Sequence, residues 1–374
     1  MGIIRVALAL SVVIWHVPGA HTRALNAAVA VLAFFMVSGF YMALVINEKY
    51  APSGAGWVKR FYQARALRLY PVYLAMCVVM VAVYAWSRHP NPFTSRLPVS
   101  FVEQLLLALT NITIVGQDFY EMMNHVSGGP VKEFLGDAFF NPGYMLVGQA
   151  WSLSSEIFFY SLAPIVVRSP IRIVALVASS LAIRFALFIN GFTTGVWCYW
   201  FVPATLCMFG MGSLGYWAYR HIKTWRWAAS IGWGAIAGML GWVLVMAWLY
   251  DIVIPVNGTN SLDEPRFWIA YITFAVAVPF AFCATKRLAV DRMIGDLSYP
   301  LYIVHGLIIG LLFNRLGHPE SNWFVFLAAV VSIAAAAAMR IVVEIPAERS
   351  FKALSVHYPT LAEPSSVPIA ATPR

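Results

Sequence analysis

"ALNAAVAVLAFFMVSGFYMALVI", Ala24 to Ile46, is a run of 23 residues without a charged side chain. At about 1.5 Å of rise per residue, roughly 20 apolar residues carry a helix across bilayer hydrocarbon, where no water can satisfy an open backbone. The stretch reads as a transmembrane helix. Further apolar stretches at 3–20, 69–87, 101–116, 144–167, 173–190, 195–219, 227–250, 266–285, 297–316 and 322–343 repeat the pattern.

With 374 residues, 61% of them hydrophobic and 11% charged, the chain departs from ordinary soluble domains and leaves no length for a sizeable separate one. The expected fold is all-α: a polytopic membrane helical bundle over 1–352 and a short tail over 353–374. That tail ends "LAEPSSVPIAATPR", a Pro- and Ser-rich composition expected to be disordered. Arg5 interrupts the first apolar run and "VPGAH" is a poor cleavage site, so the first helix is expected to be retained rather than removed as a signal peptide.

The formal charge of +9 would point to nucleic acid in a soluble protein, but here the basic residues gather in particular loops. By the positive-inside rule, Asn47–Arg68, "RSPIR" from Arg168, "RHIKTWR" from Arg220 and "KRLAVDR" from Lys286 are cytoplasmic. The loops from Gly116 to Asp137, from Asp251 and from Gly317 fall on the other side. Alternation then works only if 101–116 is interfacial or re-entrant, which leaves about ten crossings and both termini in the cytoplasm. Cys77, Cys198, Cys207 and Cys283 lie in apolar segments without metal spacing.

Eleven residues separate Arg5 from His16, close to three helical turns, which puts both on one face about 16 Å apart. His16 is then expected roughly two-thirds of the way across, where a neutral imidazole is a usable proton acceptor once a partner orients it. The plain alternative is a histidine snorkelling to the outer interface beside Pro18. Ser38-Gly39 would let another backbone approach closely. Lys59, Arg60, Arg65 and Arg68 precede the third span and suit either phosphate binding or simple anchoring. Glu156, just past Trp151-Ser152, is a carboxylate in a span and needs a cationic or hydrogen-bonding neighbour, His16 or an arginine. Ser298, Tyr302 and His305 form a polar stripe that would serve acceptor binding or interhelical hydrogen bonds, and Arg340–Glu344 reads as a structural pair. No phosphate loop, H-E-x-x-H, C-x-x-C or G-x-S-x-G motif is present.

Taken in order, Arg5 with His16, "FFMVSGF", Arg65 and Arg68 running into "LYPVY", "WSLSSEIFFY", "LSYPLYIVH" and "EIP" resemble the acyltransferase 3 family of membrane acyltransferases. The resemblance extends from Arg5 to about Phe351. It implies O-acylation of surface polysaccharides or related glycans in the bacterial inner membrane. The donor would be acyl-CoA, commonly acetyl-CoA, and the acceptor a glycan or lipid-linked sugar; no metal and no nucleic acid take part. Membrane lipid is the surrounding partner, and self-association into a homo-oligomer is left open. The resemblance makes His16 catalytic, with Arg5 as its paired arginine and Glu156 as the buried acid. It associates Arg65 and Arg68 with the acyl donor, and Lys59 and Arg60 would join them at the coenzyme A phosphates. Trp151, Ser298, Tyr302 and His305 are expected on the substrate side. Ile157 stands where relatives often carry a second acid, so a role for two adjacent carboxylates is doubtful here. His16 is expected to act as general base with Glu156 or a backbone group fixing its tautomer; an acyl-histidine intermediate is the competing route. A different class stays open, a transporter or flippase using His16 and Glu156 as a proton relay.

Overall fold

A computed structural model of the chain describes residues 1–18, 25–87, 101–125, 145–192, 196–253, 265–317 and 321–357. Most of the expected outer loops after Gly116 and Asp251, and the tail beyond His357, lie outside these residues. Among the described residues every regular element is helical. The α-helices are α1 (Gly2–Trp15), α2 (Ala27–Val45), α3 (Trp57–Ser87), α4 (Phe101–Thr113), α5 (Gln117–His125), α6 (Trp151–Val166) and α7 (Pro170–Ile189). They continue as α8 (Val202–Ile222), α9 (Ala228–Val253), α10 (Pro265–Thr285), α11 (Ala289–Asp296), α12 (Ser298–Arg315), α13 (Asn322–Met339) and α14 (Ile345–His357).

Among the described residues, seven helical runs are long and apolar enough to cross a membrane: Ala27–Ser53, Trp57–Trp86, Pro170–Ile189, Ala228–Val245, Phe267–Thr285, Ala289–Arg315 and Asn322–Phe351. The chain is a polytopic all-α bundle. Other stretches counted as crossings in the sequence fall short of that standard for separate reasons. Helices α1 and α6 have only 14 and 16 residues, against the ~20 that span hydrocarbon. Helix α8 is long enough, but three glycines, a serine and several aromatics dilute its apolar character.

The bundle is organised around α2, which packs on α1, α6, α8 and α10. Its apolar window is 72% buried, against 17% for the peripheral Pro170–Ile189. Close approach is what Ser38-Gly39 provides: a Cβ on Gly39 would lie 1.9 Å from the Phe209 carbonyl oxygen, and one on Gly212 would lie 1.8 Å from that of Met36. Ser213 Oγ donates across the same crossing to the Gly39 carbonyl at 3.0 Å. Gly39→Ala is therefore expected to force α2 and α8 apart and cost about 1–3 kcal/mol. Gly238→Ala, where the added carbon meets nothing within 4 Å, should be neutral or mildly stabilising. Paired melting curves in lipid nanodiscs compare the two.

Three boundaries differ from the sequence reading. The basic stretch before the third span is not a loop, because α3 begins at Trp57 and runs through Arg68 past Pro71 without a break. Helix α1 stops at Trp15 with His16 as its C-cap; Pro18 disfavours helical backbone at Val17 and ends the turn early. Helix α14 continues to His357, into the stretch expected to be tail. The segment 101–116 yields α4, only 13 residues long, which closes in left-handed backbone at Ile114 (φ 68°) and Gly116 (φ 89°). Tyr70 and Tyr73 of α3 donate to the Thr113 and Asn111 carbonyls at 2.5 and 2.6 Å and hold this end in place.

Candidate active site

Helix α1 stands at the centre of the site because its start is capped from another helix. The Asp291 carboxylate of α11 accepts from the Gly2 and Ile3 backbone N–H groups at 2.7 and 3.0 Å, the arrangement a helix N-terminus favours. Arg5 follows in the first turns and faces a cavity of about 400 Å³ bounded by α1, α2, α3, α6, α10, α11 and α12. Its guanidinium makes no hydrogen bond or ion pair among the described residues. The charged groups that act on it include Arg68, Asp296, Glu156 and the Met1 ammonium.

Glu156 lines the same cavity. Its carboxylate accepts from Ser38 Oγ, and Tyr160 lines the cavity beside it, one helical turn on. Its partner at bonding distance among the described residues is thus a hydroxyl, not His16 or an arginine. A hydroxyl meets the carboxylate with less desolvation than a buried cation would need.

His16 is exposed and is not part of the cavity wall. Its Nδ1 lies 2.7 Å from the Val12 carbonyl oxygen, so Nδ1 carries the proton and Nε2 is left as the acceptor. The backbone, not Glu156, sets this tautomer. The imidazole contacts the buried His305 of α12, with ring centroids 5.1 Å apart and planes tilted by 53°. His305 is anchored in the same manner, Nδ1 to the Tyr302 carbonyl at 2.7 Å. Its ring lies 5.7 Å from that of Tyr302. Tyr302 lines the cavity, and its hydroxyl is 2.9 Å from Ser152 Oγ and 3.2 Å from the Gln149 carbonyl. A continuous line of contacts therefore runs from cavity to Tyr302 to His305 to His16, with the tyrosine ring between the cavity and the imidazoles.

The four basic residues expected at one doorway are dispersed. On a helix, Lys59 and Arg68 are about two and a half turns apart and emerge on opposite sides. Lys59 is exposed. Arg60 turns back to the preceding turn and donates to Ser53 and Ala55 carbonyls at 3.0 Å. Arg65 lies over the Phe61 ring, 6.0 Å from its centroid. Arg68 alone reaches the cavity, and it is ion-paired there. It bonds the buried Glu344 and lies 3.7 Å from Asp296; Arg340 lies 2.6 Å from Asp296 and 3.5 Å from Glu344. A widened π-helical turn at Arg340–Glu344 delivers both residues to this four-charge network. Ser298 also faces the cavity, its Oγ donating to the Gly295 carbonyl at 2.7 Å. Trp151 instead packs edge-on to Tyr199 and Trp200 and is absent from the wall.

The wall includes residues that sequence reading gave no chemical role: Lys286, Asp291, Arg292 and Asp296. "KRLAVDR" was taken only as a topological marker. The usable signal was "GDLSY", where Asp296 sits two residues before Ser298 at the same helix end. Ser38 likewise does two things, one for packing through its neighbour Gly39 and one for Glu156.

A family model described as an acyltransferase domain matches residues 1–341 of the chain. The chain belongs to the acyltransferase 3 family. It is a membrane acyltransferase, and the family match spans the whole line of contacts from Arg5 to His305. No curated protein and no solved structure matches this acyltransferase.

Proposed function

We propose that this acyltransferase moves an acyl group, acetyl in the simplest case, from acyl-CoA on the cytoplasmic side of a bacterial inner membrane to a hydroxyl of an exported or lipid-linked glycan. The observation that carries the reading is the line of contacts joining a cation-walled cavity to an imidazole whose Nε2 is free. His16, its Nδ1 held by the Val12 carbonyl, presents Nε2 to the acceptor hydroxyl and takes its proton as the oxygen attacks the thioester carbonyl. The carbon–sulfur bond breaks as the adduct collapses, and the proton passes to the departing sulfur. His305, in ring contact with His16, fixes the orientation of the base. Donor phosphates fall to Arg292 and Lys286, while Arg5, without a partner among the described residues, meets the polar arm deeper in. The reactive end of the donor passes Tyr302 by displacing its ring from Ser152 and Gln149.

The test is release of coenzyme A in proteoliposomes given acyl-CoA on one side and glycan on the other. Release should require both, with donor on the side from which a cysteine at Ala55, exposed beside the start of α3, is labelled. Glycan movement across the bilayer without coenzyme A release would establish a flippase instead. Donor acceptance from the side opposite Ala55 would reverse the assignment of faces.

A further inference from the structure

A second cavity, about 640 Å³, lies between α3, the stretch 145–149 and the far half of α12. It is separate from the first in its lining: no residue is shared. Helix α12 ties the two together, since Ser298 on its first turn faces the inner cavity and Arg315 on its last faces this one, about 25 Å along the axis. His305 lies between them. Gln149 connects the groove to the gate, because its Nε2 donates to the Ile303 carbonyl and its own carbonyl meets the Tyr302 hydroxyl.

The floor of the groove is apolar, built by Met76, Met80 and Val83 facing Leu307 and Leu311. Gly310 on α12 is what makes room, whereas Gly306, one turn earlier, is where the Gln149 side chain packs, 3.2 Å from where a Cβ would lie. A Cβ on Gly310 would meet nothing within 4 Å. At one end stand Asn314 and Arg315, with the Arg315 guanidinium over the exposed Trp86 ring at 5.5 Å. Arg315 has no acidic partner among the described residues. On the face assigned here as outer, an arginine runs against the usual bias of basic residues toward the cytoplasm. One apolar trough ending in one cation uncompensated among the described residues is complementary to a single hydrocarbon chain ending in phosphate.

We infer that this groove binds a single-chain lipid phosphate, the anchor of a lipid-borne acceptor. Its role as acceptor anchor rests on the acyl-transfer reading; the binding itself does not. A chain laid beside Gly310 would put its phosphate at Arg315, about 15 Å along α12 from His305, so the sugar must turn back along the helix to meet the imidazoles.

The experiment uses the full protein in phosphatidylcholine nanodiscs, without donor, titrated with farnesyl phosphate and followed by thermal shift. A ligand that binds only the folded state raises the melting temperature in a saturable way. Saturable stabilisation is expected for the wild type. It should be lost in Gly310→Leu, which fills the open trough, and apparent affinity should fall about tenfold or more in Arg315→Gln. Farnesol and inorganic phosphate should each stabilise weakly or not at all, and added phosphatidylglycerol should not compete. Equal stabilisation of wild type and both variants would overturn the inference, as would full competition by phosphatidylglycerol, which would make the site one for bulk anionic lipid. Because no acyl transfer is measured, loss of transfer with a water-soluble glycan would count against the proposed function and leave this result standing.

Discussion

Replacing His16 with alanine is expected to lower acyl transfer by about 10²–10⁴-fold, the usual contribution of a positioned general base, with no loss of melting temperature. The structural half of that expectation follows from exposure. His16 caps α1 at its end and fills no core, so truncation leaves no cavity. The chemical half follows from the tautomer: Nδ1 is committed to the Val12 carbonyl, and removing the ring removes the free Nε2. Donor affinity should stay within about threefold, because the cations that meet the donor lie on the far side of Tyr302. His305→Ala is a different experiment, since His305 is 2% exposed and its loss opens space between α1 and α12. His305→Gln keeps volume and a donor, and should reduce transfer while sparing much of the stability. Transfer within threefold of wild type for His16→Ala would remove the base from the mechanism. A labelled acyl group recovered on His16 after rapid quenching would replace the direct attack with the two-step route.

What the sequence made readable follows the range of the interactions involved. Apolar length and the 3.6-residue period are local, so α2, α9, α10 and α13 could be placed from residues alone. That Arg5 and His16 belong to one short first helix and its cap was readable for the same reason. That His16 caps α1 rather than continuing it follows from Pro18, a residue whose backbone effect was already written in the chain. The stripe of Ser298, Tyr302 and His305 was readable as a stripe. That its last member touches His16 depends on how α12 lies against α1, which no local pattern encodes. Glu156 shows the same limit, because the need for a partner was clear and its identity, the Ser38 hydroxyl of α2, came from packing.

The reading of Arg68 has the other large consequence. Arg68 and Arg340 carry two positive charges, and Asp296 and Glu344 two negative, so the network is balanced without any ligand. Glu344 is 2% exposed and would be left with Arg340 alone, 3.5 Å away, if Arg68 were lost. Breaking one side of such a buried pair costs about 3–5 kcal/mol, because a charge remains without compensation, whereas replacing both sides with apolar groups is often close to neutral. Arg68→Leu is therefore expected to melt far below wild type, and Arg68→Leu combined with Glu344→Leu to regain most of the loss. If the arginine served the donor first, the single variant would keep its melting temperature and raise the donor KM, and the pair would show no rescue. Arg292 provides the contrast within the same cavity: exposed, its guanidinium without a hydrogen bond or ion pair among the described residues. Arg292→Gln should weaken donor binding about tenfold, the scale of one charge-assisted hydrogen bond, at an unchanged melting temperature. Opposite behaviour of the two arginines would divide the basic groups into one that ties α3 to the end of the bundle and one that is left for the phosphates of the donor.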